Sequence, residues 1–440
     1  MIVFALALFL AAKAETRSPT SNDALFLYGI TVTTIVLMQM AVAFTRYRDP
    51  ARSAIATLML ERPDWSERGP LVTCLVAVHN DELIIEDCVR SLLDQTYPNK
   101  EIIVVDDAST DGTLPVLRRL EAEHGITVIA LDQNVGKKAA LAEALLAADG
   151  SIFAFTDSDS VWEPEALERA TAVFVVDEGV GAVSGHCRAL NGDHGLITKI
   201  QDSWYEGQFS VRKAFESAFG AVTCVSGPFA AFRRAAIFNF IPEWKEDRFL
   251  GQQFRFATDR TLTGFVLGAR QQGSRLIDRH TGSPFVEHRF PLRTWKVVYA
   301  KSVRARTEVP NNLPKLVKQQ VRWKKSFLRN MFFTGRFYWR RPLPTAIAYY
   351  LHIAFVLLGP FVAFRHLVYA PLHGNLESGI LYVFGILLIG SMFSLAYWRE
   401  EPDSRRWAYR PLMSLLSTLM LSWLLFYALL TIKRMSWARG

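Results

Sequence analysis

Long apolar runs at the two ends of the chain constrain it more than any other feature. Residues 24–44 form a near-continuous apolar stretch of membrane-spanning length, closed by the basic cluster Arg46, Arg48 and Arg52. Residues 343–372, 376–398 and 411–432 supply three more candidates. Residues 1–12 are apolar too, but short for a span, and a signal-peptide core is the alternative. The expectation is four membrane helices and a fifth, weaker segment. Four parts follow: an N-terminal membrane region (1–52), a globular domain (53–310), a basic interfacial stretch (311–341) and a C-terminal membrane region (342–440).

Charge and cysteine usage orient these parts. Cys74, Cys88, Cys187 and Cys224 all lie in the globular domain, without metal-ligand spacing, as expected of reduced thiols on the cytosolic side. The basic clusters at 46–52 and 311–341 both adjoin that domain, which agrees with an excess of positive charge inside. One conflict remains. Three crossings after Arg341 would put Lys433, Arg434 and Arg439 outside, so either the tail breaks the rule or one C-terminal segment does not cross.

Within the globular part, residues 71–78 are a continuous apolar run, as a buried parallel strand requires. Helical spacing at 82–94, 113–124 and 137–148 alternates with strands at 101–105, 126–131 and 151–155. This alternation predicts an α/β fold, a mostly parallel, Rossmann-like sheet covered on both faces. Such sheets bind ligands at the carboxyl ends of their strands.

Acidic turns stand at those ends. His79-Asn80-Asp81-Glu82 follows the first strand, Asp106-Asp107-Ala108-Ser109-Thr110-Asp111-Gly112 the second, and Thr156-Asp157-Ser158-Asp159-Ser160 the strand at 151–155. One such turn is ordinary helix capping. Three imply a bound hard cation, Mg2+ or Mn2+, with oxygen ligands. Asp157 and Asp159, two residues apart, project to the same side of an extended segment and suit one metal shared with a diphosphate.

The stretch 311–341 holds nine Lys or Arg and no Asp or Glu. Inside it lies Gln319-Gln320-Val321-Arg322-Trp323. A guanidinium can hold a leaving diphosphate, and an indole can carry a sugar ring on its apolar face. The alternative is an amphipathic helix whose basic side chains face lipid headgroups.

Together, Val105-Asp106-Asp107, Gly136-Lys137-Lys138, Asp157-Ser158-Asp159, Ser226-Gly227-Pro228, Thr258-Asp259-Arg260 and the Gln319–Trp323 pattern resemble the family 2 glycosyltransferases of the GT-A fold. The likeness is to their membrane-embedded processive branch, closest to the hyaluronan and chitooligosaccharide (chitin) synthases. The resemblance implies that Asp106 and Asp107 contact the nucleoside of a UDP-sugar, with Lys137 adding positive charge. It implies that Asp159 ligates the metal and that Asp157 holds nucleotide or metal-bound water. Asp259 is the implied general base; relatives usually carry a second acid before it, where this chain has Thr258. Ser226 and Gly227, with Cys224 nearby, are expected beside the acceptor terminus. Gln319 and Arg322 would approach the diphosphate, and Trp323 would floor the acceptor site. His79 stands where relatives often have Tyr. His280 and His288 fit no pattern.

The expected activity is processive, inverting transfer from UDP-N-acetylglucosamine, with UDP-glucuronate if the product is hyaluronan. The polysaccharide acceptor would leave through the protein's own spans into and across the lipid bilayer. The expected setting is a multi-pass plasma-membrane protein with its catalytic domain in the cytosol and no nucleic-acid partner. A polar chain cannot enter hydrocarbon unaided, and Trp323 lies only about 20 residues before the first C-terminal apolar run. Polymer from UDP-N-acetylglucosamine alone, transfer of one sugar to a lipid phosphate, and a non-catalytic membrane scaffold are the alternatives.

Overall fold

The computed structural model describes residues 23–434. Segment 1–12 and Arg439 lie outside them. The chain enters as α1 (Asp23–Thr45), breaks at residues 46–49 and resumes as α2 (Pro50–Glu61). Asp49 starts α2 by accepting the Ala51 N–H at 3.0 Å, and Pro50 sits where no amide is needed.

The alternation read from the sequence follows: β1 (Val72–Val78), α3 (Ile85–Leu93), β2 (Lys100–Asp106), α4 (Thr113–His124), β3 (Thr127–Ala130), α5 (Lys137–Ala147) and β4 (Ile152–Asp157). Next come β5 (Ser160–Trp162), α6 (Ala166–Val176), β6 (Val180–Ala189) and α7 (Leu196–Gly207), which runs on through a π-type segment, Gln208–Lys213. β7 (Ala230–Arg233), the two-residue strands β8 (Arg248–Phe249) and β9 (Gln252–Gln253), α8 (Thr258–Arg279) and β10 (Lys296–Thr307) complete the domain.

Eight strands form one sheet in the order β3-β2-β1-β4-β7-β6-β10-β5. The β3-β2-β1-β4 half is parallel, as expected. The other half is mixed, because β7 runs antiparallel between β4 and β6, and β5 antiparallel to β10. Reversal at β7 has a use: the start of that strand, just after Ser226-Gly227-Pro228, pairs beside the carboxyl end of β4, with Ala230 opposite Phe155. Reversal at β5 likewise sets Thr307 opposite Ser160.

Side chains alternate across the sheet. Leu75, Ala77, Ile103, Val105, Phe153 and Phe155 join one core with Leu141 of α5 and Phe265 of α8. Cys74, Val76, Ile102, Val104 and Ala154 join the other with Val89 and Leu117. Both faces are therefore covered, which is why β1 reads as continuously apolar.

Beyond the domain come α9 (Leu313–Gly335), α10 (Leu343–Phe364), α11 (Leu376–Glu400), α12 (Arg410–Leu416) and α13 (Leu424–Leu430). Among the described residues three helices, containing α1, α10 and α11, are long and apolar enough to cross a membrane. A fourth crossing exists only if the bent stretch through α12 and α13, kinked by 44°, is one span. Both ends of that stretch contact the globular domain and its adjoining helix. At its start Arg406 pairs with Asp202 at 2.9 Å and Asp193 at 2.7 Å. At its end the Arg434 carbonyl accepts the Lys325 ammonium of α9 at 2.7 Å. In between, Met413 and Leu421 pack with Ile200 of α7, and Leu425 and Ala428 with Leu328 of α9.

Candidate active site

The acidic turns converge on one rim of the sheet. Asp106 ends β2, fully buried; its Oδ2 accepts the Ser109 N–H at 3.2 Å, and its Oδ1 meets no protein donor. Asp107 shapes the rim. Its two carboxylate oxygens accept the N–H groups of Val135 (2.7 Å) and Gly136 (2.9 Å), and its carbonyl accepts His79 Nδ1 at 2.9 Å. This hold folds the turn that starts α5, where Gly136 takes a φ of +88°. Asn80 and Ala108 also occupy the left-handed region beside this rim. Such backbone strain costs on the order of 1–3 kcal/mol per residue and gathers at functional sites.

Lys137, first residue of α5, donates its ammonium to Asp157 at the end of β4. Two positions on, Asp159 accepts Thr307 Oγ1 at 3.1 Å, and its carbonyl accepts the Glu308 N–H at 3.2 Å. Both carboxylates act on one neighbour: burial, then Asp159 and Asp157, push the Cys88 thiol well above its usual pKa. Among the described residues no group of three or more His, Cys, Asp or Glu side chains could hold a metal. Two carboxylates completed by diphosphate oxygens and water satisfy Mg2+ or Mn2+, and Asp157 and Asp159 fit as that pair. The Lys137 ammonium already pairs with Asp157.

From the far side of the strands, the loop before β7 connects this pair to Asp259. A Cβ on Gly227 would lie 2.6 Å from Asp157 Oδ2, so only glycine lets the backbone come this close. The Gly227 N–H donates to Asp259 Oδ2 at 3.2 Å, and the Cys224 thiol reaches the same oxygen at 3.6 Å. Burial, helped by Asp259, lifts the Cys224 pKa to about 11, so at neutral pH the sulfur keeps its proton and donates. Asp259 occupies the first turn of α8, which begins after Ala257 in a left-handed conformation (φ +60°).

Contacts thus run unbroken from Asp107 through Gly136, Lys137, Asp157 and Gly227 to Asp259 and Cys224. Ser226 takes the Lys213 ammonium on its hydroxyl. Gln319, Arg322 and Trp323 come from another element, α9, on one face at i, i+3 and i+4. Trp323 stacks on Trp204 of α7 with centroids 5.5 Å apart, near Tyr205 at 6.4 Å. Gln319 Oε1 is buried without a donor. His280 pairs with Glu243 at 3.1 Å, just past the end of α8.

Several residues at the site have partners that the motifs do not reveal. Lys138 is buried with Asp247, whose Oδ2 lies 2.7 Å from its Nζ, and Arg329 of α9 binds the other oxygen of Asp247. This triad ties the start of α5 to the helix bearing Gln319 and Trp323. Burial lowers Lys138 to about 8 despite the Asp247 charge. Lys213, Thr307 and Trp204 are also invisible as motifs. The paired lysines of Gly136-Lys137-Lys138 were the available hint, since a second lysine beside a rim residue needs its own acid.

This fold, with its acidic rim at the carboxyl ends of the strands, is that of a GT-A glycosyltransferase. Residues 73–238 match glycosyl transferase family 2, and the chain is a glycosyltransferase carrying a family 2 domain. It is 28% identical over 377 residues to a hyaluronan synthase of Streptococcus pyogenes, spanning 83% of this chain and 82% of that one. It is 31% identical over 265 residues to an N-acetylglucosaminyltransferase of Azorhizobium caulinodans, spanning 59% and 60% respectively. In three dimensions it resembles the mannosyltransferase PcManGT of Pyrobaculum calidifontis, solved with GDP-Man and Mn2+. The TM-score is 0.52 at 22% identity, over 88% of this chain and 98% of that one.

Proposed function

We propose that this protein is a processive inverting β-glycosyltransferase that polymerises an N-acetylglucosamine-containing polysaccharide from UDP-sugars and passes it into its own membrane region. The observation that carries this reading is a cavity beside Asp259 with charged residues in its wall. Cys224 and Arg260 line it on the transferase side; Tyr349 and His352, both on α10, line it on the membrane side. A soluble acceptor would not need a site that opens onto a membrane-length helix. At about 120 Å³ the cavity holds a few waters. A passing sugar therefore requires flexible wall residues, Met331 and Phe327, to swing aside.

In this reading Asp106 and Asp107 take the nucleoside, while Lys137, Gln319 and Arg322 steady the diphosphate. Asp157 and Asp159 would hold Mg2+ or Mn2+, which neutralises the leaving diphosphate when bound. Asp259 accepts the proton of the acceptor hydroxyl as the bond forms, with the Gly227 N–H fixing its carboxylate. Trp323, backed by Trp204, offers an aromatic platform to the acceptor sugar.

Charge in the cavity favours an acidic polymer and hence a second donor, UDP-glucuronate. Arg212, Lys213 and Arg260 line it against a single carboxylate, Glu216. Glu216 is engaged by the N–H (2.9 Å) and hydroxyl (3.0 Å) of Thr223. The relatives' names agree with both one-donor and two-donor products. The test is incorporation of labelled sugar by purified protein with each donor singly and together. Polymer only with both donors, degraded by a hyaluronan-specific lyase, is the expected result. Polymer from UDP-N-acetylglucosamine alone would establish the chitin-like product, and label extracted into organic solvent a lipid-linked transferase.

The same reading places the domain in the cytosol beneath a plasma membrane. It is supported by the reduced cysteines and by the contacts of both ends of the 405–434 stretch with the globular domain and α9. That stretch would then be re-entrant, leaving α1, α10 and α11 as the crossings among the described residues, and the basic tail inside.

A further inference from the structure

A second cavity, of about 430 Å³, lies where the ends of α1 and α11 meet β10. Its apolar wall is Ala43 and Phe44, at the end of α1. Its polar wall holds five cations, Arg48, Arg52, Lys301, Arg304 and Arg399, against two carboxylates, Asp49 and Glu400.

Both carboxylates are already occupied. Asp49 accepts the N–H of Ala51 at 3.0 Å and of Ser302 at 2.7 Å, and Glu400 pairs with Lys301. Arg399 lies over the Phe44 ring at 4.9 Å, and Arg48 donates to the Thr45 and Tyr47 carbonyls at 3.1 Å. The Arg52 and Arg304 side chains are exposed. An excess of guanidinium groups around a hollow is a seat for a phosphate-bearing anion, which arginine grips in bidentate fashion.

General snorkelling of basic residues at a bilayer would not place Lys301 and Arg304 there. They belong to a strand of the central sheet, not to a membrane helix. With one wall apolar and two membrane-length helices ending at the cavity, its depth is that of the headgroup layer.

We propose that this cavity binds the phosphate headgroup of an anionic phospholipid, clamping β10 to the membrane. Three residues beyond Arg304 on the same strand, Thr307 donates to Asp159 at 3.1 Å. A lipid held by Arg304 thereby braces the strand that supports the proposed metal-binding carboxylate.

The test is the apparent Tm of the full-length protein in nanodiscs as phosphatidylglycerol is titrated into phosphatidylcholine. The expected result is a rise in Tm for the unaltered protein. Arg52→Gln with Arg304→Gln should require a phosphatidylglycerol fraction higher by up to about thirtyfold for half the rise, since two basic residues at about 1 kcal/mol each are removed from an anionic surface. Arg336→Gln with Arg340→Gln, removing equal charge at exposed positions outside the cavity, should shift it clearly less than the cavity pair does. If the double variant shows no unfolding transition, Arg304→Gln alone gives the same readout, together with phosphatidylglycerol retained per protein by native mass spectrometry. Identical titrations for the cavity variant and the unaltered protein would overturn the proposal. So would an equal rise in Tm from inorganic phosphate in pure phosphatidylcholine discs.

Discussion

Asp259 receives two donors from a single loop, the Gly227 N–H and the Cys224 thiol, and this fixes how its substitutions should behave. Asp259→Asn keeps an acceptor for Gly227 but cannot take a proton. Polymer formation should fall about 10²–10⁴-fold while UDP binding, read by calorimetry, stays within a few fold. Unchanged turnover would remove Asp259 from the role of base. Gly227→Ala drives a Cβ to 2.6 Å from Asp157 Oδ2 and tests the other side of the same loop. Displacing Asp157 and the Gly227 N–H together should cost on the order of 100-fold in kcat, because a shift of about 1 Å suffices for that. An active Gly227→Ala enzyme would mean that the loop relaxes freely. Both residues were legible as motif members. Their mutual contact was not, since 32 residues separate them and no local pattern pairs a loop with a helix start.

At the scale of elements, α5 and α9 are joined through Asp247, which sits between Lys138 and Arg329. Asp247→Asn leaves two buried cations without their counter-charge and should destabilise the protein by about 3–5 kcal/mol. Lys138 adds a pH signature. Its pKa of about 8 lies below the ordinary lysine value of 10.5, so the unfolded chain holds the extra proton between those values. Stability should therefore rise with pH across roughly 8 to 10.5, and fall as pH drops through 8. Apparent Tm against pH, compared with Lys138→Met, checks this; parallel curves would exclude Lys138 as the source. Strands and helices from β1 to β4 were readable because apolar period and turn residues are local properties. The reversed strands β5 and β7 were not, since short segments of three and four residues carry too little periodicity to reveal a partner or its direction.

For the whole molecule, the re-entrant reading of the last apolar stretch makes a topological prediction. Among single cysteines introduced into the Cys224→Ser protein, Gly374→Cys in the turn before α11 should react with an impermeant maleimide from outside. Asp403→Cys and Lys433→Cys should react only from the domain side. The native Cys74, Cys88 and Cys187 are buried and should stay silent in the folded protein. External labelling at Lys433→Cys would show that the stretch crosses.

Apolar length alone marked the helices long and apolar enough to cross a membrane among the described residues, and strand-end acids alone marked the rim, because transfer free energy and turn chemistry are carried by consecutive residues. Whether residues 411–432 cross is a matter of packing against Ile200 and Leu328, which hydropathy does not measure. Likewise, Lys138 and Asp247 lie 109 residues apart, and the sheet order that places Thr307 beside Asp159 spans 148. Pairings over such distances are chosen by which faces bury together, and only the folded chain decides that.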